Sequence, residues 1–329
     1  MVSCERIDGI FTVHHRPPMT IHNILAELVS GKFIFLYILI ISTVIIHYRG
    51  KVRYKFFRQL TDHSTFMAPI NVPLYALSGV ENKPYINTRT FPQLDLLRDN
   101  WQIIRDEAIQ LEREELIKGS NTLNDVGFNS FFRRGWKRFY LKWYNDFHPS
   151  AKKYCPQTIQ LIKQVPSIKA AMFAVLPAGS ELLKHRDPYA GSLRYHLGLI
   201  TPNSDACNIV VDGQKYAWHD GEDVMFDETY IHYAENKTDV DRIILFCDVE
   251  RPVKTWFGRG WNRFFGWFIM AAAASPNMGE DKTGNINKIF RYIYSIRIVG
   301  KKLKAYNRNL YYAVKYALML LILWLIFIR

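Results

Sequence analysis

The sequence predicts an α+β chain in which helices lead into an antiparallel sandwich or barrel of short strands, with an apolar helix at each end. Three observations carry this expectation. From Ala170 to Val249, runs of β-prone residues alternate with turn residues. Residues 94–118 repeat apolar positions at three and four, the helical period. Phe33–Tyr48 and Leu310–Ile328 are almost free of formal charge.

Composition narrows the class. With 329 residues, 49% hydrophobic and 15% aromatic, the chain has ample apolar surface to offset ordering entropy, which excludes a disordered polycation. The 43 Lys and Arg against 30 Asp and Glu leave +13, a surplus that calls for nucleic acid, a phospholipid surface or a phosphorylated substrate. No helix-turn-helix, RNP or zinc-finger pattern supports nucleic acid. Cys4, Cys155, Cys207 and Cys247 form no CxxC pair, so they read as isolated thiols in a reducing compartment.

Taken in order, residues 1–30 read as an extracytoplasmic tail and 31–48 as a transmembrane helix. Leu28 and Val29 extend the apolar run past a snorkelling Lys32 toward the about 17 to 25 residues a span requires. The 32 residues ahead of Phe33 disfavour a cleaved signal peptide. A buried core helix is the competing reading at both ends, and charged flanks favour insertion. Arg49, Lys51, Arg53, Lys55 and Arg58 crowd the exit of the first segment, and Lys301, Lys302, Lys304 and Arg308 precede the second. The positive-inside rule then places the centre in the cytoplasm and both termini outside, with the cations at anionic lipid.

Residues 49–165 read as a basic and aromatic helical leading region. Within it, 58–90 lacks a sustained period and reads as irregular, while 91–118 reads as one amphipathic helix. The stretch 127–144 interleaves aromatics with Arg133, Arg134, Lys137, Arg138 and Lys142. It is either a headgroup-binding surface or a strand with core aromatics and solvated cations. Residues 166–252 form the β-core, with the runs AAMFAVL, LRYHLGLI, CNIVV, KYAW, DVMF and RIILFCDV and a hairpin signal at Asp212-Gly213. Residues 253–309, dense in Trp, Phe and Arg, read as a membrane-interface segment, and 310–329 as a C-terminal transmembrane or interfacial helix.

One constellation carries chemistry. His185 and Asp187 stand two apart, a spacing that puts both side chains on one side of an extended segment, and His232 can reach them from a later strand. Two imidazoles and a carboxylate on one face suit iron(II) with positions left open. Arg242 opens the last strand with a planar fork for a carboxylate such as the distal one of 2-oxoglutarate. Arg194 and His196 share the inward face of LRYHLGL and need an inward partner there. Asp187 has a competing reading as a turn residue before Pro188. His148 and His219 fit no constellation and are expected at the surface.

His185 followed by Arg194 and His196 in R-x-H-L-G-L, then Phe226-Asp227-Glu228-Thr229 with His232 and, ten residues on, Arg242, resembles the aspartyl/asparaginyl β-hydroxylase family of iron(II) and 2-oxoglutarate dioxygenases. The resemblance implies a double-stranded β-helix (jelly-roll) dioxygenase core using O2, with iron at His185 and His232 and 2-oxoglutarate at Arg194, His196 and Arg242. The family's peptide hydroxylases carry Gly at the place of Asp187 and bind iron without that carboxylate. HYRGKVRYKFFRQLTDHSTF, DVGFNSFF, GWKRFYLKWY and HRDPYAGSLRYHLGL extend the likeness from about His47 onward. They are similar to family members that hydroxylate C2 of a secondary acyl chain of lipid A at the cytoplasmic face of the Gram-negative inner membrane. Residues 1 to about 25 have no counterpart, and Met19 is an alternative start. The resemblance implies lipid A and the bilayer as partners, with no nucleic acid and no obligate protein partner. A peptidyl Asp/Asn hydroxylase, a hydroxylase of another lipid and a non-catalytic cupin-like binding module are the alternatives.

Overall fold

A computed structural model of the chain describes residues 3–7, 10–14, 21–119 and 125–327. Strands β1 (Ser3–Ile7) and β2 (Ile10–His14) pair as a hairpin; the remaining residues up to 20, and the side chain of Cys4, lie outside the described residues. Helix α1 (Ile21–Leu28) leads to α2 (Gly31–Tyr48), whose apolar side chains are mostly exposed. Ile46 of α2 instead packs on Ala68, Leu74 and Tyr75 of the elements that follow, α3 (Phe56–Leu60) and α4 (His63–Ala76).

Helix α4 corrects the expectation of irregular structure over 58–90. Pro69 and Pro73 lie inside it, and such residues remove hydrogen bonds and suppress a helical reading. The Asp62 carboxylate caps its start by accepting from Ser64 N, and packing against α2 outweighs the propensity penalty. The single helix expected over 91–118 is broken: α5 (Asp95–Asp99) and α6 (Trp101–Arg113) meet at Asn100, whose side-chain amide donates to the Leu96 carbonyl.

Short strand β3 (Tyr85–Ile86) precedes these helices, and α7 (Asn129–Phe132), β4 (Lys137–Trp143), β5 (Asp146–Phe147), α8 (Pro149–Tyr154) and α9 (Pro156–Lys163) follow. Eight strands then divide between two sheets: β6 (Ile168–Leu176), β7 (Glu181–His185), β8 (Ser192–Ile200), β9 (Cys207–Val211), β10 (Gln214–Ala217), β11 (Asp223–Phe226), β12 (His232–Asn236) and β13 (Arg242–Glu250). The larger sheet runs β3-β11-β8-β13-β6-β4-β5 and the smaller β10-β9-β12-β7, with antiparallel pairing throughout. This is jelly-roll winding.

Parity decides what each strand contributes. Leu193, Tyr195, Leu197, Ile243 and Leu245 face helices α6 and α9 in one core. Their alternates, with Met172, Ile209, Trp218 and Phe246, fill the space between the two sheets. Helices α10 (Trp256–Phe265), α11 (Asn285–Tyr306) and α12 (Arg308–Phe327) complete the chain, α11 and α12 packing on each other across Asn307. By length and composition, α2 and the segment Arg308–Ile326 are long and apolar enough to cross a membrane.

Arg49 does not serve as a lipid-facing charge. Its guanidinium lies 3.8 Å from the Tyr75 ring and 4.0 Å from the Tyr230 ring, and it pairs with the buried Asp227 carboxylate. Arg251 pairs with the same carboxylate at 2.6 Å. Asp227 thereby ties the exit of α2 to the end of β13 and to the turn before His232. Burial pushes its carboxyl pKa up, but Arg251 and Arg49 outweigh burial and hold it far below the ordinary range. A depressed folded pKa contributes stability that is present above the ordinary carboxylate value and lost as pH falls. Asp227→Asn should cost about 3 to 5 kcal/mol at neutral pH, because it strands two buried guanidinium groups. The gap in melting temperature between variant and parent should hold above about pH 5 and shrink below about pH 4.

Candidate active site

Strands β7 and β12 pair so that His185 lies directly opposite His232, which puts the two ring centroids 4.2 Å apart. Each imidazole Nδ1 meets a carbonyl two residues back, Leu183 O at 2.6 Å and Tyr230 O at 3.0 Å. A proton on Nδ1 donated to a carbonyl leaves Nε2 as the lone-pair nitrogen, the arrangement of a metal-ligating histidine. Asp187, just past the end of β7, brings Oδ1 to 3.7 Å from His185 Nε2. One donor atom from each of the three residues lies within 4.8 Å of the others.

Electrostatics match that use. Burial lowers the pKa of both imidazoles, that of His232 to about 3, so both rings are neutral and able to ligate. For Asp187, burial acts upward, but the Arg194 guanidinium beside it acts downward and keeps it ionised. Two neutral imidazoles and a carboxylate converging on one point fit a divalent iron site.

Arg194 is paired with three acids. It donates to Asp187 Oδ2 at 2.8 Å, lies 3.0 Å from Asp248 Oδ1, pairs with Glu228 and covers the Phe246 ring at 3.7 Å. Burial pushes the Glu228 and Asp248 carboxyls up, against the pull of Arg194. A cosubstrate carboxylate would therefore have to share Arg194 with Asp187.

All six residues singled out in the sequence, His185, Asp187, Arg194, His196, His232 and Arg242, line one narrow cavity between the sheets. Its far end is unusual. Arg242 is buried and its side chain makes no hydrogen bond or ion pair with the described residues; its guanidinium stacks 4.3 Å above the Trp218 ring. Burial lowers the Arg242 pKa to about 10. Both ring nitrogens of His196 and the indole N–H of Trp218 also lack hydrogen-bond partners among the described residues. A buried cation and unpartnered polar groups are costly unless an anion completes them, so this end fits a carboxylate-bearing ligand.

A second cavity of about 470 Å³ reaches His185, Asp187 and Arg194 from the opposite side and is mainly apolar, walled by Phe128, Phe131, Trp143, Ile269, Met270 and Ala273. His185, Asp187 and Arg194 line both cavities and form the partition between them, while His232, His196 and Arg242 face the inner one.

Sequence reasoning passed over Trp218 and Asp248, and gave Glu228 only as a motif position. Asp248 had a signal, since it shares inward parity with Arg242 along β13; Trp218 had none beyond the general need of a buried indole for a partner. His148 corrects the surface expectation: it is 5% exposed, stacked on Tyr140 and 3.7 Å from the Asp281 carboxylate. Over 127–144 the strand reading holds for Lys137–Trp143, with Phe139 and Tyr140 in the cores. Arg138 departs from both readings, being buried against Asp125 at 3.1 Å.

The family described as aspartyl/asparaginyl beta-hydroxylase matches residues 98–252. An ornithine lipid ester-linked acyl 2-hydroxylase from Rhizobium tropici is 36% identical over 60% of this chain and 69% of its own length. The human aspartyl/asparaginyl beta-hydroxylase is 24% identical over 63% of this chain, which spans 28% of that protein. Among solved structures, a prolyl-4-hydroxylase from Pseudomonas putida shares 16% identity at a TM-score of 0.32, over 56% of this chain and 99% of that one.

Proposed function

The chain belongs to the aspartyl/asparaginyl β-hydroxylase family and is a hydroxylase, and from that premise we propose that it is an Fe(II)/2-oxoglutarate-dependent dioxygenase acting on C2 of a secondary acyl chain of lipid A. The observation that carries the cosubstrate is the unpaired Arg242 with Trp218 and His196 at the blind end of the inner cavity. What supports an acyl substrate is the apolar groove on the other side of the partition, together with the activity for which the rhizobial relative is named.

His185, Asp187 and His232 would hold the iron, and Arg194 positions Asp187. Arg242 and the Trp218 N–H would take the distal carboxylate of 2-oxoglutarate, and His196 faces it from β8. Iron(II), 2-oxoglutarate and dioxygen together supply an oxidant able to break an unactivated C–H bond, with succinate and CO2 as coproducts. The protein's own work is to keep the imidazoles neutral, to exclude water behind Phe128 and Phe131, and to align an acyl chain against the three donors. Helices α2 and α12 serve as spans in this reading, with the jelly roll at the cytoplasmic face of the inner membrane.

The rhizobial relative favours a second reading, 2-hydroxylation of an aminolipid acyl chain. The basic surplus of +13 favours the phosphorylated lipid. The deciding experiment incubates full-length protein in vesicles with iron(II), 2-oxoglutarate and either lipid A or ornithine lipid. Lipid A heavier by one oxygen atom, with succinate in step, is expected. Oxygen gained only by ornithine lipid selects the second reading, and no succinate with either overturns both. Separately, Trp218→Phe keeps the ring under Arg242 and removes one donor. The 2-oxoglutarate Kd, titrated with Mn(II) under argon, should rise about 5- to 10-fold, the value of one hydrogen bond, with no fall in melting temperature.

A further inference from the structure

Helix α10 has two contrasting faces. Gly258 and Asn262 are buried, as is Gly266 just beyond the helix, while Trp256 and Trp267, 79% and 62% exposed, stand outward with Phe257, Trp261, Phe264 and Phe268. Arg259 and Arg263 interrupt this aromatic surface and are exposed themselves. Such a surface is costly in water, and a density of Trp and Phe mixed with Arg suits the headgroup layer of an anionic bilayer, where rings sit at the acyl boundary and guanidinium groups meet phosphate.

Two further observations select the bilayer. The outer face is continuous with the candidate span: Trp261 Nε1 donates to Ile70 O of α4 at 3.1 Å, and α4 packs on α2. The inner face grips the loop that carries Asp187. Tyr189 Oη donates to Asn262 O at 2.7 Å, Asn262 Nδ2 donates to Gly191 O at 3.0 Å, and a Cβ on Gly191 would lie 2.0 Å from Asn262 Oδ1. Downstream, Ile269 and Met270 wall the outer groove.

We propose that α10 lies in the plane of the membrane as a docking helix, its aromatic face in the headgroup layer of an anionic bilayer, fixing the mouth of the outer groove at the acyl boundary. This rests on the membrane reading of α2 and α12 but makes its own demand. Four tryptophans are exposed among the described residues, Trp256, Trp261, Trp267 and Trp324. The test places single copies of the full chain in nanodiscs of phosphatidylethanolamine and phosphatidylglycerol carrying bromines either shallow or deep on the acyl chains, and compares tryptophan quenching with that of W256F/W261F/W267F.

Shallow-bromine quenching should be strong in the parent and fall by more than half in the triple variant, while the deep quenching of Trp324 persists. Equal quenching in both proteins overturns the docking helix and leaves the spans standing. Absence of quenching even at Trp324 overturns the membrane reading and this proposal with it. Quenching of the three tryptophans that is absent in single-copy discs, with protection only where two copies share a disc, assigns the face to a second chain and overturns the proposal.

Discussion

His232→Ala should abolish divalent metal binding and hydroxylation together while leaving the fold intact. His232 is the buried member of the three-donor set, fixed by its place opposite His185 in the β7–β12 pair and by its Nδ1 contact to the Tyr230 carbonyl. The loss removes one of two nitrogen donors, so the fall in affinity should exceed the about 10- to 100-fold that losing an outer-shell partner costs. Because burial already keeps this imidazole neutral, no buried charge is stranded by its removal. Anaerobic titration with Mn(II) and circular dichroism check the two halves. Retained metal binding would show that the three donors are not a metal site.

Arg242→Met is expected to move stability and cosubstrate binding in opposite directions. In the free protein Arg242 is a buried cation with no acidic partner among the described residues, stacked on the Trp218 ring. Methionine removes an uncompensated charge at similar length, so the melting temperature should hold or rise. The same change removes the charge-assisted fork for a dicarboxylate, a loss of about 3 kcal/mol or roughly 100-fold in Kd for 2-oxoglutarate. A melting temperature lowered by many degrees with unchanged Kd would instead make Arg242 a packing residue.

Much of the fold was legible because its central strands, β6, β8 and β13, are covered on both faces. Each of the six expected runs between Ala170 and Val249 corresponds to a strand, and Arg194 and His196 stand on the inward side that parity assigned. The two strands without a matching run, β7 and β12, are those that carry the histidines. Glu181–His185 is an edge strand with no fully buried residue, so it shows no apolar alternation. His232–Asn236 alternates, but with His232 and Asn236 at buried positions where a pattern reading looks for apolar residues. Polar side chains take the apolar positions there.

Long-range charge pairing was not legible. Arg49 and Asp227 stand 178 residues apart, and nothing local separates Arg49 from the lipid-facing cations after it. The same holds for Arg138 with Asp125 across α7, and for His148 with Asp281.

The edge position of β7 has a kinetic consequence. It is paired with another strand along one side only, with Arg58 Nη2 donating to the Lys184 carbonyl besides, so it should open locally more often than the central strands β8 and β13. A metal gripped by His185 on β7 and His232 on β12 would rivet that edge shut, since any opening of β7 must first release a ligand. Amide hydrogen exchange along 181–185 would then slow on adding metal, by a factor that grows with metal concentration, while exchange in β8 and β13 stays as it was.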